Sequence, residues 1–295
     1  MWSERPCQRK KGLLKRDVPA GPPVAPVVKI AAMRGEKLLF AVVIAALPMH
    51  AQADCPTAGT RAVAVKSISD GDTFFTTDGA EVDLAGLLAP GSGGERIGKT
   101  QARAATEALA QALAGSVSLA FAGAEKDRYG RLPAQVFVGA EWIQGKLLRA
   151  GLARADPETA PACAKKLLAA ETESREAKRG LWAAGMFAVL PSDKVRGGYD
   201  TFQIVEGTVQ AVAQQKGRVY LDFGADWKTD FTAMIAPDSV KEFRREKINL
   251  KKLANQPVRV RGWVESYYGP EIELFTPGAL EILQQTSAQA KRPGD

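Results

Sequence analysis

The sequence predicts a mainly β fold with inserted helices, an α+β class built as two five-stranded barrels in succession, and three observations carry that prediction. Asp-Gly pairs at 70–71 and 78–79 separate alternating apolar runs, a strong short-range hairpin signal. Five strands with helices inserted late fill 54–190, and the order strand, strand, strand, helix, strand, strand fills 199–285. Between them, 191–198 contains Pro, Asp and Gly and reads as a linker.

Met33–Lys37 forms a short n-region of net positive charge, Leu38–Met49 an apolar h-region, and Ala51-Gln52-Ala53 matches the small-x-small cleavage rule. Residues 1–53 therefore read as an extension plus an export signal starting at Met33, too short in its apolar part to span a bilayer. Export to the periplasm or medium, with no integral membrane span after cleavage, is the expectation. A signal anchor that stays uncleaved is the alternative.

The leader also explains the charge. The chain is +7 overall, but 1–53 hold nine Lys or Arg against three Asp or Glu, leaving 31 against 30 for the rest. Basicity thus lends no support to a nucleic-acid groove. The single His50 falls in the leader, which excludes a His-based triad, a His general base and His-containing zinc sites from the mature chain. Cys7 falls there too. Cys55 and Cys163 remain, an even number in an oxidising compartment, and are expected to pair, adding about 4 to 5 kcal/mol in the loop-entropy model. Two free buried thiols would be the alternative.

Within the first unit, Val63 to Ile68, Thr73–Thr77 and Val82–Leu88 read as a three-stranded meander. Gly91 to Gly94 is a loop, and Lys99–Leu113 has apolar residues at helical spacing. Val117–Phe121 and Leu132–Val138 are strands, followed by helices over Ile143–Arg149 and Pro161–Lys178. This is the content of a partly open Greek-key barrel of the OB type. In the second unit the strands are Phe202–Val212, Arg218–Phe223, Phe231–Ile235, Val258–Glu265 and Glu271–Phe275, with a polar helix over Ser239–Leu250. Their order again suits an OB-like barrel, and 286–295 reads as a disordered tail.

Three motifs occur in a fixed order: Asp70-Gly71-Asp72-Thr73, then Val82-Asp83-Leu84-Ala85-Gly86-Leu87-Leu88-Ala89-Pro90-Gly91, then Asp127-Arg128-Tyr129-Gly130-Arg131. With Gly145–Ala153 and Gly180-Leu181-Trp182, the stretch over about 60–185 resembles the staphylococcal nuclease (thermonuclease) family. The resemblance implies an OB-type fold and a calcium ion held by carboxylates. It also implies a glutamate acting as general base on water and two arginines gripping the scissile phosphate. Hard oxygen ligands suit calcium, and a guanidinium fork matches phosphate.

Carried over position by position, the resemblance gives Asp72 as the first calcium carboxylate and Arg131 as one phosphate arginine. The other three roles are vacated. Asp83 stands where the family has the strand arginine, Leu88 where it has the second calcium carboxylate, and Gly91 where it has the general base. A general base is worth a factor of about 10² to 10⁴ and an oriented charge about 10² to 10³, so activity is expected to be lost or strongly reduced. Two escapes exist: Glu95 reaching back as a substitute base, and Asp70, Asp72 and Asp83 binding a cation together. Otherwise Asp83 is a solvated strand carboxylate paired with Arg131, and Asp70 and Asp72 are turn formers.

In the second unit Trp227, Tyr267 and Tyr268 fall in or beside loops where OB barrels stack bases or sugars. Arg259 and Arg261 alternate on one strand, with Lys216 and Arg218 nearby, as part of that surface or as a solvated strand face. The sequence therefore points to an exported, nuclease-like protein serving as a binding module, with no cofactor, or Ca²⁺ if active. Single-stranded nucleic acid or a nucleotide is the candidate partner. The alternatives are a working nuclease with a rearranged site and a structural envelope protein.

Overall fold

The computed structural model describes residues 55–92, 99–121, 126–195 and 201–284. The expected leader, Glu95, the second half of the expected linker and the tail lie outside them.

The first sheet is built from β1 (Arg61–Val63), β2 (Val65–Ile68), β3 (Thr73–Thr76), β4 (Glu81–Leu84), β6 (Val117–Phe121), β7 (Leu132–Val138) and β8 (Glu141–Trp142). A separate two-stranded ladder joins β5 (Leu87–Leu88) to β9 (Arg154–Ala155). The helices are α1 (Lys99–Ala112), α2 (Ile143–Arg149) and α3 (Ala164–Glu176), the last entered through a 3₁₀ turn at Pro161–Cys163. Sheet order is β1-β6-β7-β4-β3-β2, with β8 on β7. Only β4 and β7 run parallel.

The two ends of this order, β1 and β2, are separated in sequence by Ala64 alone. A flat sheet of six strands could not bring its edges that close, so the sheet curls. Its hydrogen-bonded path nevertheless has two ends and does not close into a five-stranded barrel. Inside the curl lie Phe74, Val82, Leu84, Leu119 and Val136, against Leu109 of α1, Ile143 and Leu148 of α2 and Leu167 of α3. Cys55 and Cys163 are disulfide-bonded across 108 residues, which ties the chain ahead of β1 to the start of α3.

The second sheet contains β10 (Val189–Pro191), β11 (Phe202–Thr208), β12 (Ala211–Gln215), β13 (Arg218–Asp222), β14 (Thr232–Ile235), β15 (Pro257–Tyr267), β16 (Gly269–Glu273) and β17 (Leu280–Ile282), with α4 (Pro237–Arg245) after β14. Its order is β10-β11-β15-β16-β14-β13-β12, with β17 on β15. Overall the chain is mixed α+β, mostly sheet with few helices.

Two runs expected as single strands are each broken where the backbone changes partner. After Leu84 the chain leaves β3 and β7 for β9, with the Asp156 N–H bonding the Gly86 carbonyl at 2.9 Å. After Thr208, Val209 N–H bonds the Gln256 carbonyl and Gln210 N–H the Asp222 carbonyl, which transfers the chain from β15 to β13. Both breaks depend on partners distant in sequence, Gln256 and Asp222 in one case and β9 in the other, which a local pattern does not specify.

The two sheets meet in a shared interior. Leu88 of β5, Leu181, Trp182 and Phe187 form one apolar cluster with Phe202 and Ile204 of β11. Beneath it Arg261 of β15 is fully buried and pairs with Glu171 of α3 at 3.0 Å and Glu281 of β17 at 2.8 Å. Glu171 also accepts the Ala155 N–H at 2.7 Å. Arg259 pairs with Glu206 and Glu281. The expectation that Arg259 and Arg261 form a solvated face or a binding surface is therefore corrected: both are consumed by internal ion pairs. The run Arg259-Val260-Arg261 offers no sign of this, because the carboxylates come from 20 to 90 residues away.

Candidate functional site

The Asp70–Thr73 turn joins β2 to β3, and its geometry explains both aspartates. Asp70 Oδ1 accepts the Asp72 N–H at 3.1 Å, the local bond for which Asp favours turns. Asp72 points inward and is buried. Its Oδ2 accepts the Ala89 N–H at 2.7 Å, and its Oδ1 accepts the Ser92 hydroxyl at 2.8 Å. It thus fastens the Ala89–Ser92 turn to β3. Burial, and then the neighbouring Asp70 carboxylate, push the Asp72 carboxyl up to about 8 against the opposing Ala89 bond.

Asp83 of β4 and Arg131, just ahead of β7, are brought side by side by the parallel pairing of those strands. Arg131 Nη1 lies 2.7 Å from Asp83 Oδ1, and its Nε donates to Asp127 Oδ2 at 2.8 Å. Asp127 also accepts the Tyr129 and Arg131 N–H groups, which shapes the turn. Burial raises the Asp83 carboxyl to about 6, against the pull of Arg131. Burial alone would lower the Arg131 guanidinium, but Asp83 and Asp127 outweigh it and leave it raised. The guanidinium fork is thus occupied by two carboxylates of its own chain. Asp83 is paired, as one reading of the sequence has it, but its side chain is only 16% exposed and so is not solvated.

Leu88 lies on the far side of that turn, in register with Arg154 across the β5–β9 ladder. It is buried in the apolar cluster that joins the sheets, among Leu181, Trp182, Phe187, Phe202 and Ile204. Arg154 donates to the Phe202 carbonyl at 2.7 Å, and its guanidinium lies over the Phe187 and Phe202 rings at 4.8 and 5.1 Å. Gly91 adopts φ +87°, a conformation that side chains rarely take, and a Cβ there would lie 3.3 Å from Ala102 Cβ. A glutamate at Gly91 would strain this turn.

The donor set does not fit a calcium ion. Asp72 engages both oxygens with the Ala89–Ser92 turn, Asp83 is held by Arg131, and Leu88 offers no oxygen. Among the described residues no group of three or more His, Cys, Asp or Glu side chains is arranged to hold a metal, so Asp70, Asp72 and Asp83 do not form the cation cluster weighed above. Glu95 lies outside the described residues.

A second assembly stands on the other sheet. Tyr267 pairs across the β15–β16 hairpin with Gly269, and Tyr268 alone makes the turn at φ +92°. Trp227 comes from the β13–β14 loop. Tyr267 and Tyr268 rings lie 5.3 Å apart edge to face, as do Tyr268 and Trp227. They border a groove of about 600 Å³ whose walls include Tyr220, Asp222 and Glu271. The three aromatics are brought together as a surface, and the two carboxylates beside them are what the sequence reading missed. Asp222 ends β13 and Glu271 sits in the middle of β16, both ordinary strands, and no local signal marks them.

No helix among the described residues is long and apolar enough to cross a membrane. No curated protein matches the chain. Residues 81–184 match the family described as staphylococcal nuclease homologue, a span that takes in Asp83, Leu88, Gly91 and Arg131 and runs on to Trp182. Residues 81–184, with the curled sheet and helices they help to build, are thus similar to the staphylococcal nuclease homologue family.

Proposed function

We propose that this is an exported member of the nuclease family that no longer hydrolyses phosphodiesters, and that its nuclease-like part serves as an interaction module. The observation that carries the reading is Leu88, the family's second calcium position, which is built into the apolar seam between the sheets. A position committed to the interior cannot also ligate a solvated cation. Asp83 on Arg131 supports the same reading, since a phosphate would have to displace a carboxylate already 2.7 Å from the guanidinium. The Cys55–Cys163 disulfide supports an oxidising compartment, and a partly open OB-type barrel accords with the curl of the first sheet.

The test is incubation of the purified chain with single-stranded DNA and millimolar calcium, beside Arg131→Ala and a chelated control. The expected result is no cleavage above either control. Robust cutting that chelator and Arg131→Ala both abolish would overturn the reading. A second reading, single-strand or nucleotide binding without hydrolysis, is favoured by Tyr129. Its ring is 66% exposed and has the Arg128 guanidinium 4.8 Å from its centre, a stacking surface beside a cation. Fluorescence anisotropy on labelled single strands should then rise at low salt and fall as salt increases.

A further inference from the structure

We propose that the aromatic groove on the second sheet is a binding site for an uncharged glycan chain, with Trp227, Tyr267 and Tyr268 as the platform and Asp222 and Glu271 as hydrogen-bond acceptors for sugar hydroxyls. This does not depend on whether the nuclease-like sheet hydrolyses phosphodiesters.

The rings come first. Trp227, Tyr267 and Tyr268 are 52%, 63% and 67% exposed and adjoin one another, so they form a continuous apolar surface in water. Such a surface of rings with polar tips is suited to a partner that is itself amphipathic. Tyr268 makes the point energetically. A non-glycine residue at φ +92° is disfavoured by about 1 to 2 kcal/mol, and its exposed ring recovers little of that by burial. Folding alone would be better served by glycine.

The platform is also held in place. The Trp227 loop is fixed by bonds to Asp226, whose carbonyl accepts the Thr229 and Asp230 N–H groups and whose Oδ1 accepts the Lys228 N–H. The hairpin backs directly onto it: a Cβ on Gly269 would lie 2.6 Å from the Asp230 carbonyl oxygen. The ring positions are therefore set before any ligand arrives, which lowers the ordering cost of binding.

Charge selects the ligand class. The groove volume of about 600 Å³ lies in the range of small-molecule and oligomer sites. The carboxylates in its walls are Asp222 and Glu271; Glu265, Glu273 and Arg218 are close enough to act on Glu271, and Lys228 lies 5.7 Å from the Trp227 ring centre, so acidic groups outnumber basic ones. Carboxylates repel a phosphodiester but accept hydroxyl protons. The Thr232 hydroxyl, 3.4 Å from Asp222 Oδ1, already shows this kind of bond. Stacking rings beside acceptors match the apolar faces and hydroxyl rims of pyranose rings.

The experiment is isothermal titration of the full chain with chitohexaose, cellohexaose and maltohexaose, and with a twelve-nucleotide thymidine strand as the polyanionic arm. We expect at least one hexasaccharide to bind and the strand not to compete for it. Affinity should fall at least tenfold in Trp227→Ala and in Tyr268→Ala, and several-fold in Glu271→Gln. These side chains are exposed or at the groove edge, and unchanged thermal unfolding checks that the variants fold. Absence of heat with all three hexasaccharides at millimolar concentration would overturn the proposal. So would binding that survives the Trp227→Ala, Tyr268→Ala double variant, or a strand that displaces the sugar from the groove.

Discussion

The group of Asp72, Asp83 and Arg131 and the groove around Trp227, Tyr267 and Tyr268 make opposite use of the side chains that could carry function. In the first, each group is answered from within: Asp72 by two donors of the Ala89–Ser92 turn, Arg131 by two carboxylates, and the apolar Leu88 by the other sheet. In the second, three large rings face water and one of them holds a disfavoured backbone conformation. Residues that stabilise the fold have their partners inside it. Residues retained against the fold's interest are the better candidates for a ligand.

That contrast predicts a gradient of stability effects. The largest belongs to the seam behind that group: Arg261→Met leaves Glu171 buried without its cation and should cost about 3 to 5 kcal/mol in urea unfolding. Adding Glu171→Leu should recover much of that loss, since an apolar pair of similar volume avoids the desolvation cost. Leu88→Asp, which restores the family's carboxylate, should cost roughly 2 to 4 kcal/mol by burying a charge among Trp182, Phe187 and Phe202, whereas Leu88→Met should cost under about 1.5. If Leu88→Asp were as stable as the parent, the seam would not be closed and the comparison would fail.

Acidity offers a smaller lever. Burial raises Glu158 to about 8 and Asp156 to about 6, so each keeps its proton in the folded chain at pH values where the unfolded chain releases it. Their contribution is complete below about pH 4 and is lost as pH rises through 6 and then 8. Asp127 and Glu281 act oppositely. For both, burial is outweighed: at Asp127 by bonds from Arg131 and Tyr129, and at Glu281 by the Arg261 and Arg259 charges. Their stabilisation is present above pH 4.5 and lost on acidification. Thermal unfolding should therefore peak near pH 5 and decline toward pH 8, and a midpoint that climbs over that interval would contradict the burial of Glu158. The smallest effect is expected in the groove. Tyr268→Gly should stay within about 1 kcal/mol of the parent or exceed it, because it relieves the turn.

Legibility in the sequence followed the range of the interactions. Strands β6 and β7 and helix α2 coincide with their sequence-predicted bounds, because period-two and helical patterns are set by residues a few positions apart. The family resemblance and the residue types at Asp83, Leu88 and Gly91 were likewise readable as a string. Strands β5, β9, β10 and β17 were not separately legible. At two or three residues each, they exist only because a distant partner is in register.

The sequence by itself determined the element types, the nuclease-like motif order and which residue types stand at Asp83, Leu88, Gly91 and Arg131. Only the tertiary structure decided where those groups went. It seats Leu88 in a seam between two sheets, turns Arg131 onto Asp83 and Asp127, and draws Arg261 to carboxylates of α3 and β17. The physical reason is that burial and pairing depend on which surfaces meet across long stretches of chain, and a local pattern of apolar and charged residues carries no record of that meeting.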